Sequence, residues 1–309
     1  MKMVLAIFLI ALAHGASAQS VKQPSGEETA AKLTARYNDI SQSCGRQKDL
    51  PASSCSGVLL RGIDSTKHYS WDPSPGSQER GGVSFSYLRK DAKFPRLAFG
   101  YKNGIIVNSD AKHLVSPEWG AVFFLRVICA FPTDAWTDRR SEYGCGQHRD
   151  SKVNSRPCVR QVGNSASQWQ AHYTNVARNT DRDQCSFIDG RALSDGTLYL
   201  ISPEAFYQSI VARNSPPLAD KLFNTQNEVV VEVWKLGDPI RDEKLYNENL
   251  KLMPIHAFFY LNATGLVGAK KDRDRYLSKT GRKIPLIKIT LPATRTQDAV
   301  FAYLPADNT

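Results

Sequence analysis

The sequence predicts an α+β domain, because strand-like and helix-like segments are both present but do not alternate regularly. Runs rich in β-branched and aromatic residues predict strands at 57–63, 120–131 and 228–234. A regular alternation would have indicated a doubly wound parallel sheet, so that architecture is not expected. Hydrophobic residues make up 41% of the chain, which is enough to bury a sizeable core.

Helices are indicated by local start signals and by apolar periodicity. Ser25 and Glu28 form a capping box, and the apolar residues that follow share one face, which predicts a helix over about 26–41. A Ser-Pro-Glu sequence predicts a second helix over 203–214, because proline is favoured at the first helical position. A third helix is expected near 264–279.

The other segments are shorter or irregular. Segment 83–88 alternates weakly and fits either a strand or the start of a helix. Asn103-Gly104, followed by Ile-Ile-Val, is a hairpin turn signal. Segment 132–165 contains two cysteines and many polar residues, which predicts an irregular insert. Further strands are expected at 197–201, 255–261, 286–291 and 299–304.

The first residues have the pattern of a secretory signal peptide. Lys2 is a charged n-region, and an apolar run of 10 residues follows, which is too short to span a bilayer. Ala16-Ser17-Ala18 is a small-residue cleavage site. We therefore expect residues 1–18 to be removed and residues 19–309 to form a single domain that is secreted to the extracellular space.

An even number of cysteines in an exported chain predicts disulfides. Six cysteines allow about 15 pairings, and the sequence alone does not choose among them. No C-x2-C or clustered Cys/His spacing occurs, so no metal site is expected. Short loops favour Cys44–Cys55 and Cys145–Cys158, which leaves Cys129 and Cys185 as the third pair.

The formal net charge is +10, and removal of Lys2 with the signal peptide lowers it by one. A positive balance favours anionic ligands such as phosphates. No run of five basic residues exists, and segment 270–275 alternates in sign, which is typical of a solvated helix face. We therefore expect a monomer without a stable nucleic-acid or membrane partner.

Three elements carry residues that point to chemistry. Glu228 opens a strand directly after the turn-prone Gln226-Asn227, so its carboxylate is fixed where it can stabilise a developing cation, such as an oxocarbenium sugar. Arg61 lies inside an apolar strand, where a guanidinium needs an acid or an anionic ligand. Gly62 lets a ligand approach the backbone, and the hydroxyls of Ser84 and Ser86 are able to brace a charged side chain.

The order Arg, Ser-x-Ser, Gln-x-Glu resembles the R-S-E class of mono-ADP-ribosyltransferase folds. Phe85 stands where that class has a threonine, and Arg61 and Ser84 are closer in sequence than is usual there. The whole mature chain further resembles the halovibrin family of secreted bacterial NAD-consuming enzymes. The segments that carry this resemblance are 55–61, 82–89, 129–132 and 254–260.

The resemblance implies an ADP-ribosyltransferase-like split β-sandwich with flanking helices, stabilised by disulfides. It implies NAD as the substrate and no further cofactor. Arg61 and Gly62 would bind NAD, together with Tyr87 as a nearby aromatic side chain. Glu228 would hold the nicotinamide ribose and stabilise its oxocarbenium ion, while Ser84 or Ser86 would brace it.

The resemblance also implies a choice of acceptor, in which the first residue of the x-x-Glu element takes part. Gln226 is not a carboxylate base, so water is favoured, and the expected activity is that of an NAD glycohydrolase. A toxin that transfers ADP-ribose to a protein acceptor is the first alternative. A non-enzymatic basic secreted binding protein and a secreted nuclease are the others. The chain contains no G-x-S-x-G elbow, P-loop or G-x-G-x-x-G sequence.

Overall fold

The three-dimensional structure is a computed structural model. The predicted signal peptide and nearly all of the predicted insert at 132–165 lie outside the described residues. The structure describes residues 25–48, 50–63, 83–107, 114–116, 121–132, 190–192, 199–201, 203–210, 219, 222–235 and 255–309.

Three α-helices lie at or near the positions that the sequence predicts: α1 (Gly26–Asn38), α2 (Pro203–Ile210) and α3 (Ala263–Thr280). The capping box of α1 is confirmed, since Ser25 Oγ accepts from the Glu28 N–H and the Glu28 carboxylate accepts from the Ser25 N–H. Among the described residues, no helix has the length and apolar character needed to cross a membrane.

Nine strands form one sheet in the order β13-β12-β11-β5-β3-β4-β10-β7-β6, while β1 pairs with β2 and β8 pairs with β9. Within the large sheet every pairing is antiparallel except that of β11 with β12. The strands are β1 (Ser43–Cys44), β2 (Leu50–Pro51), β3 (Val58–Ile63), β4 (Val83–Leu88), β5 (Asn103–Val107), β6 (Leu114–Ser116), β7 (Ala121–Phe131), β8 (Gly190–Ala192), β9 (Tyr199–Ile201), β10 (Glu228–Lys235), β11 (Ile255–Tyr260), β12 (Leu286–Thr290) and β13 (Val300–Tyr303). The predicted α+β class is thus confirmed, with a large, mostly antiparallel sheet and few helices.

Strand β4 changes its partner along its length. Its second half pairs with β3, from Ser86 opposite Leu60 onward. Its first half pairs with β10, and Ser84 lies opposite Val230. The two parts of the sheet therefore share β4, whose pairing passes from β10 to β3 between Phe85 and Ser86.

The sheet buries both of its faces. The face that we call the α1 face packs Leu60, Leu88 and Ile106 against α1 residues such as Leu33. The opposite face, the α3 face, packs alternate residues of the same strands against α2 and α3. Because side chains alternate between faces along a strand, each residue of β3, of β4 and of 228–231 in β10 is assigned to one face by its parity.

The turn predicted at Asn103-Gly104 is wrong, because both residues lie inside β5. Their conformation is set by neighbours that are distant in sequence. The Asn103 amide donates to Asp272 Oδ2 of α3 over 3.1 Å. A Cβ at Gly104 would lie 1.9 Å from the Arg61 carbonyl oxygen, so the close approach of β3 requires glycine there.

The predicted disulfide between Cys44 and Cys55 is confirmed. It closes a short loop, and Ser53 within that loop and Ser56 directly after it supply carbonyl oxygens to the buried guanidinium of Arg36. Cys129 lies in β7, while Cys145, Cys158 and Cys185 lie outside the described residues, so their pairings stay predictions.

Candidate functional site

The predicted site residues come from three adjacent strands. Arg61 lies on β3, Ser84 and Ser86 lie on β4, and Glu228 is the first residue of β10. The register that places Ser84 opposite Val230 places Ser86 opposite Glu228 when it is continued by two residues. The sheet therefore brings Ser84, Ser86 and Glu228 to one face, which is the α1 face.

Glu228 is almost completely buried, with 2% of its surface exposed. It lies between β4 and β7, opposite Phe131 of the latter strand, and the following residues Val229 to Val231 are buried too. A carboxylate in such surroundings acts on a nearby positive charge more strongly than it would in water, because little solvent screens it.

Gln226 links the strand of Glu228 to two other segments. Its Oε1 atom accepts a hydrogen bond from Ser86 Oγ over 2.9 Å. The same oxygen accepts a second bond from the N–H of Ala98 over 2.7 Å. Gln226 therefore holds together β4, the entry of β10 and the segment that precedes β5.

Tyr87 is placed in the core, where its side chain is fully buried on the α3 face. Its hydroxyl bonds to Ser56, and its ring meets Phe206 edge-on with centroids 5.2 Å apart. The Arg89 guanidinium carbon lies 5.8 Å from the ring centroid. Tyr87 thus lies on the opposite face from Glu228, and its predicted contact with a substrate stays a prediction that this placement does not favour.

Arg61 belongs by parity to the α3 face, opposite to Ser84, Ser86 and Glu228. Its Nη1 atom donates to the carbonyl oxygen of Ser84 over 3.0 Å, at the point where β3 and β4 separate. The Ser84 hydroxyl oxygen is buried and has no hydrogen-bond partner within the described part of the chain. The guanidinium therefore reaches the backbone of the Ser-x-Ser element.

Gly62 lies beside Arg61 but on the α1 face, and Tyr101 covers it. A Cβ at Gly62 would lie 2.5 Å from Tyr101 Cδ2, so glycine is needed here because the ring of Tyr101 packs directly on the backbone. The sequence reasoning assigned this freedom to a ligand and did not single out Tyr101. Nothing in the pattern of residues 97–102 marks them as neighbours of Gly62.

Asn227 is a second residue near the site to which the sequence analysis gave no role. Its side chain is fully buried and bonds to both the N–H and the carbonyl oxygen of Tyr87. Its amide thereby takes the place of a backbone peptide in the ladder between β4 and β10. The only feature of the sequence that indicates this role is the position of a polar residue between Gln226 and Glu228, where a strand begins.

The described arrangement combines a buried carboxylate and two serines on one face with a guanidinium that starts from the other face and reaches the Ser84 carbonyl oxygen. Such a set suits the binding of a polar, anionic ligand and the stabilisation of a cation formed from it. Within the described ranges, no group of three His, Cys, Asp or Glu side chains is arranged to hold a metal ion. No family model matches the chain, and no curated protein matches it.

Proposed function

We propose that the protein is a secreted enzyme that cleaves the nicotinamide–ribose bond of NAD. The observation that carries the proposal is the adjacency of β3, β4 and β10, which bear Arg61, the Ser-x-Ser element and Glu228. Their order along the chain is that of the R-S-E class, and the facing positions of Ser86 and Glu228 support a shared role. The signal-like residues 1–18 support export.

The fold that we propose is the split β-sandwich of ADP-ribosyltransferases. The change of partner along β4 supports it, because the pairing passes from β10 to β3 within the Ser-x-Ser element, where we propose that two parts of the sheet diverge. A cleft at such a divergence would expose the backbone around Ser84 to a ligand. Arg61 donates to that backbone, and its guanidinium would contact the pyrophosphate of NAD bound there.

In the proposed reaction, Glu228 accepts hydrogen bonds from the hydroxyls of the nicotinamide ribose. The C1′–N bond breaks, and nicotinamide leaves with the bonding electron pair. The carboxylate stabilises the oxocarbenium ion that remains. Water then attacks C1′ and releases a proton, so the products are ADP-ribose, nicotinamide and one proton.

Water is the acceptor that we favour. Gln226 Oε1 already accepts two hydrogen bonds within the protein, and an amide does not take up a proton from an incoming nucleophile at neutral pH. Transfer of ADP-ribose to a protein side chain is the alternative outcome of the same bond cleavage. The two are distinguished by whether free ADP-ribose accumulates with nicotinamide.

The test is nicotinamide release from NAD by the purified protein, compared between wild type and Glu228→Gln. The substitution keeps the shape of the side chain and removes its charge, so we expect a loss of at least about 100-fold in turnover. Glu204→Gln is the matched control, because Glu204 is an exposed carboxylate on α2, a helix that packs on the opposite face of the sheet from Glu228. Full activity is expected for that variant.

Activity that survives in Glu228→Gln would overturn the assignment of this carboxylate. Absence of nicotinamide release by the wild type, with and without a mixture of protein acceptors, would overturn the proposed function. Chromatography of the products then separates the two acceptors. Equal amounts of ADP-ribose and nicotinamide indicate hydrolysis, whereas an ADP-ribose deficit matched by labelled protein indicates transfer.

A further inference from the structure

Segment 97–101, between β4 and β5, lies on the α1 face and contacts both the entry of β10 and β3. At one end, Ala98 is bonded to Gln226 at the entry of β10. At the other end, Tyr101 covers Gly62 of β3. Because Gln226 also bonds to Ser86, the segment lies within two hydrogen bonds of the serine that faces Glu228.

The segment is fastened to the turn before β10 at a second point. Arg96 Nε donates to the carbonyl oxygen of Asn224 over 3.3 Å. Together with the bond from the Ala98 N–H to Gln226, this ties the start of the segment and the residue before it to the turn that leads into β10. The position of the segment is therefore set by the burial of its own Leu97 and by hydrogen bonds from outside it, among which those of Gln226 link it to Ser86.

Phe99, in the middle of this segment, is both exposed and strained. Its surface is 66% exposed, and its φ of 52° lies in the left-handed region that bulky side chains rarely adopt. Its ring is tilted against Tyr101, with centroids 5.6 Å apart. A single exposed aromatic residue is ordinary, but core packing does not explain one that is also held in a strained conformation.

We propose that Phe99 forms a binding platform for a flat heteroaromatic base of NAD, and that Gln226 is the positioning residue that holds it beside Glu228. This inference rests on the proposed function. An exposed phenyl ring offers a planar face on which a base stacks, and its neighbour Tyr101 limits the ring's movement. In this assignment Gln226 acts through segment 97–101, not through contact with the acceptor.

The role of Gln226 is tested by limited trypsin digestion, with mass spectrometry of the resulting peptides. Gln226→Ala removes the acceptor of the Ala98 N–H, so we expect cleavage after Arg96 to become at least about fivefold faster. Cleavage after Lys283, an exposed residue just after α3, is the internal reference. Gln226→Glu keeps an acceptor oxygen and is expected to restore the wild-type rate, which a general loss of folding would not allow.

The role of Phe99 is tested by calorimetric titration with a carbocyclic NAD analogue, which lacks the ring oxygen needed for an oxocarbenium ion. Phe99→Ala is expected to weaken binding about tenfold, while Phe99→Tyr keeps the ring and the affinity. Phe99→Gly is expected to weaken binding equally but to raise the melting temperature by about 2 °C, because glycine relieves the strained φ. A residue that serves folding alone would not give a variant with weaker binding and a higher melting temperature.

The outcomes separate this inference from the proposed function. Binding of the analogue that depends on the ring of Phe99 supports the platform, even if the wild type releases no nicotinamide from NAD. No binding by the wild type, or equal binding by wild type and Phe99→Ala, overturns the platform. Unchanged cleavage after Arg96 in Gln226→Ala overturns the positioning role.

Discussion

Asn227 closes two hydrogen bonds with the backbone of Tyr87, donating to its carbonyl oxygen over 2.8 Å and accepting from its N–H over 2.7 Å. Both residues are fully buried. Since Asn227 immediately precedes Glu228, this pair of hydrogen bonds fixes the register in which β10 begins beside β4. The position of the carboxylate is therefore set by the residue next to it as much as by its own contacts.

Replacement of Asn227 by alanine leaves two buried backbone groups of Tyr87 without partners. Since each such group costs about 1–3 kcal/mol, we expect the free energy of unfolding to fall by about 3 kcal/mol. Urea denaturation measures the change. Asn224→Ala is the matched control, because Asn224 is exposed in the same turn and contributes only its carbonyl oxygen. Equal stability of the two variants would contradict the role of Asn227.

The two serines of β4 are expected to respond differently to alanine substitution. Ser86→Ala removes a hydrogen bond to Gln226 and should lower the free energy of unfolding by about 1 kcal/mol. Ser84→Ala should leave it unchanged, because the buried Ser84 hydroxyl has no partner in the described part of the chain. If Ser84 serves the proposed reaction, this variant loses nicotinamide release at full stability. Thermal unfolding and the nicotinamide assay together decide between the two roles.

The disulfide between Cys44 and Cys55 closes a loop of 11 residues in sequence. In the chain-entropy account, a loop of that size contributes about 3 kcal/mol by restricting the unfolded chain. Replacing both cysteines by serine should lower the free energy of unfolding by up to that amount. The measurement is chemical denaturation of the double variant against wild type. Retention of full stability would show that the loop is held by Arg36 and its neighbours without the covalent bond.

His256 links stability to pH. Burial, together with the nearby charges of Lys32 and Arg36, lowers the pKa of His256 to about 4. The unfolded chain, with a pKa of about 6.5 for this group, binds the proton more readily. Stability from the neutral imidazole is therefore present above pH 6.5 and is lost as the pH falls toward 4, by up to about 3 kcal/mol.

The check is urea denaturation of wild type and His256→Gln at pH 7.5 and 4.5. The variant should lose less stability between the two values than the wild type does. The wild type must be compared with the variant, because Asp272 also titrates in this range. Burial raises the pKa of Asp272 to about 6, so its contribution to the free energy of unfolding changes with pH in the opposite direction. Parallel pH profiles would contradict the assignment to His256.

Much of the fold follows from local signals in the sequence. The capping box at Ser25 places α1, and the run of β-branched residues after Glu228 places β10. The turn signal at Asn103-Gly104 failed because contacts with α3 and β3 outweigh the local preference. The short strands β1, β2 and β6 have too few residues to give a periodic pattern.

The sequence predicts which residues belong to the candidate site better than it predicts how they are arranged in space. The sequence identifies Arg61 and Glu228, but it does not indicate that their side chains start from opposite faces of the sheet. A sheet that is buried on both sides has apolar residues on both, so the alternation that would reveal facing is absent from β3. The contacts of Gln226 and Asn227 depend on register, which arises only in the folded sheet.

The sharing of β4 between two parts of the sheet has a consequence for the order of folding. The bonds from Ser86 to Gln226 and from Tyr87 to Asn227 each join residues 140 positions apart. Closure of so long a loop costs entropy before any of its contacts form, and such non-local pairings slow folding. Helices α1 and α3 need no such closure. During refolding, recovery of helical signal should therefore precede recovery of activity, since the carboxylate and its serines meet only in the last stages.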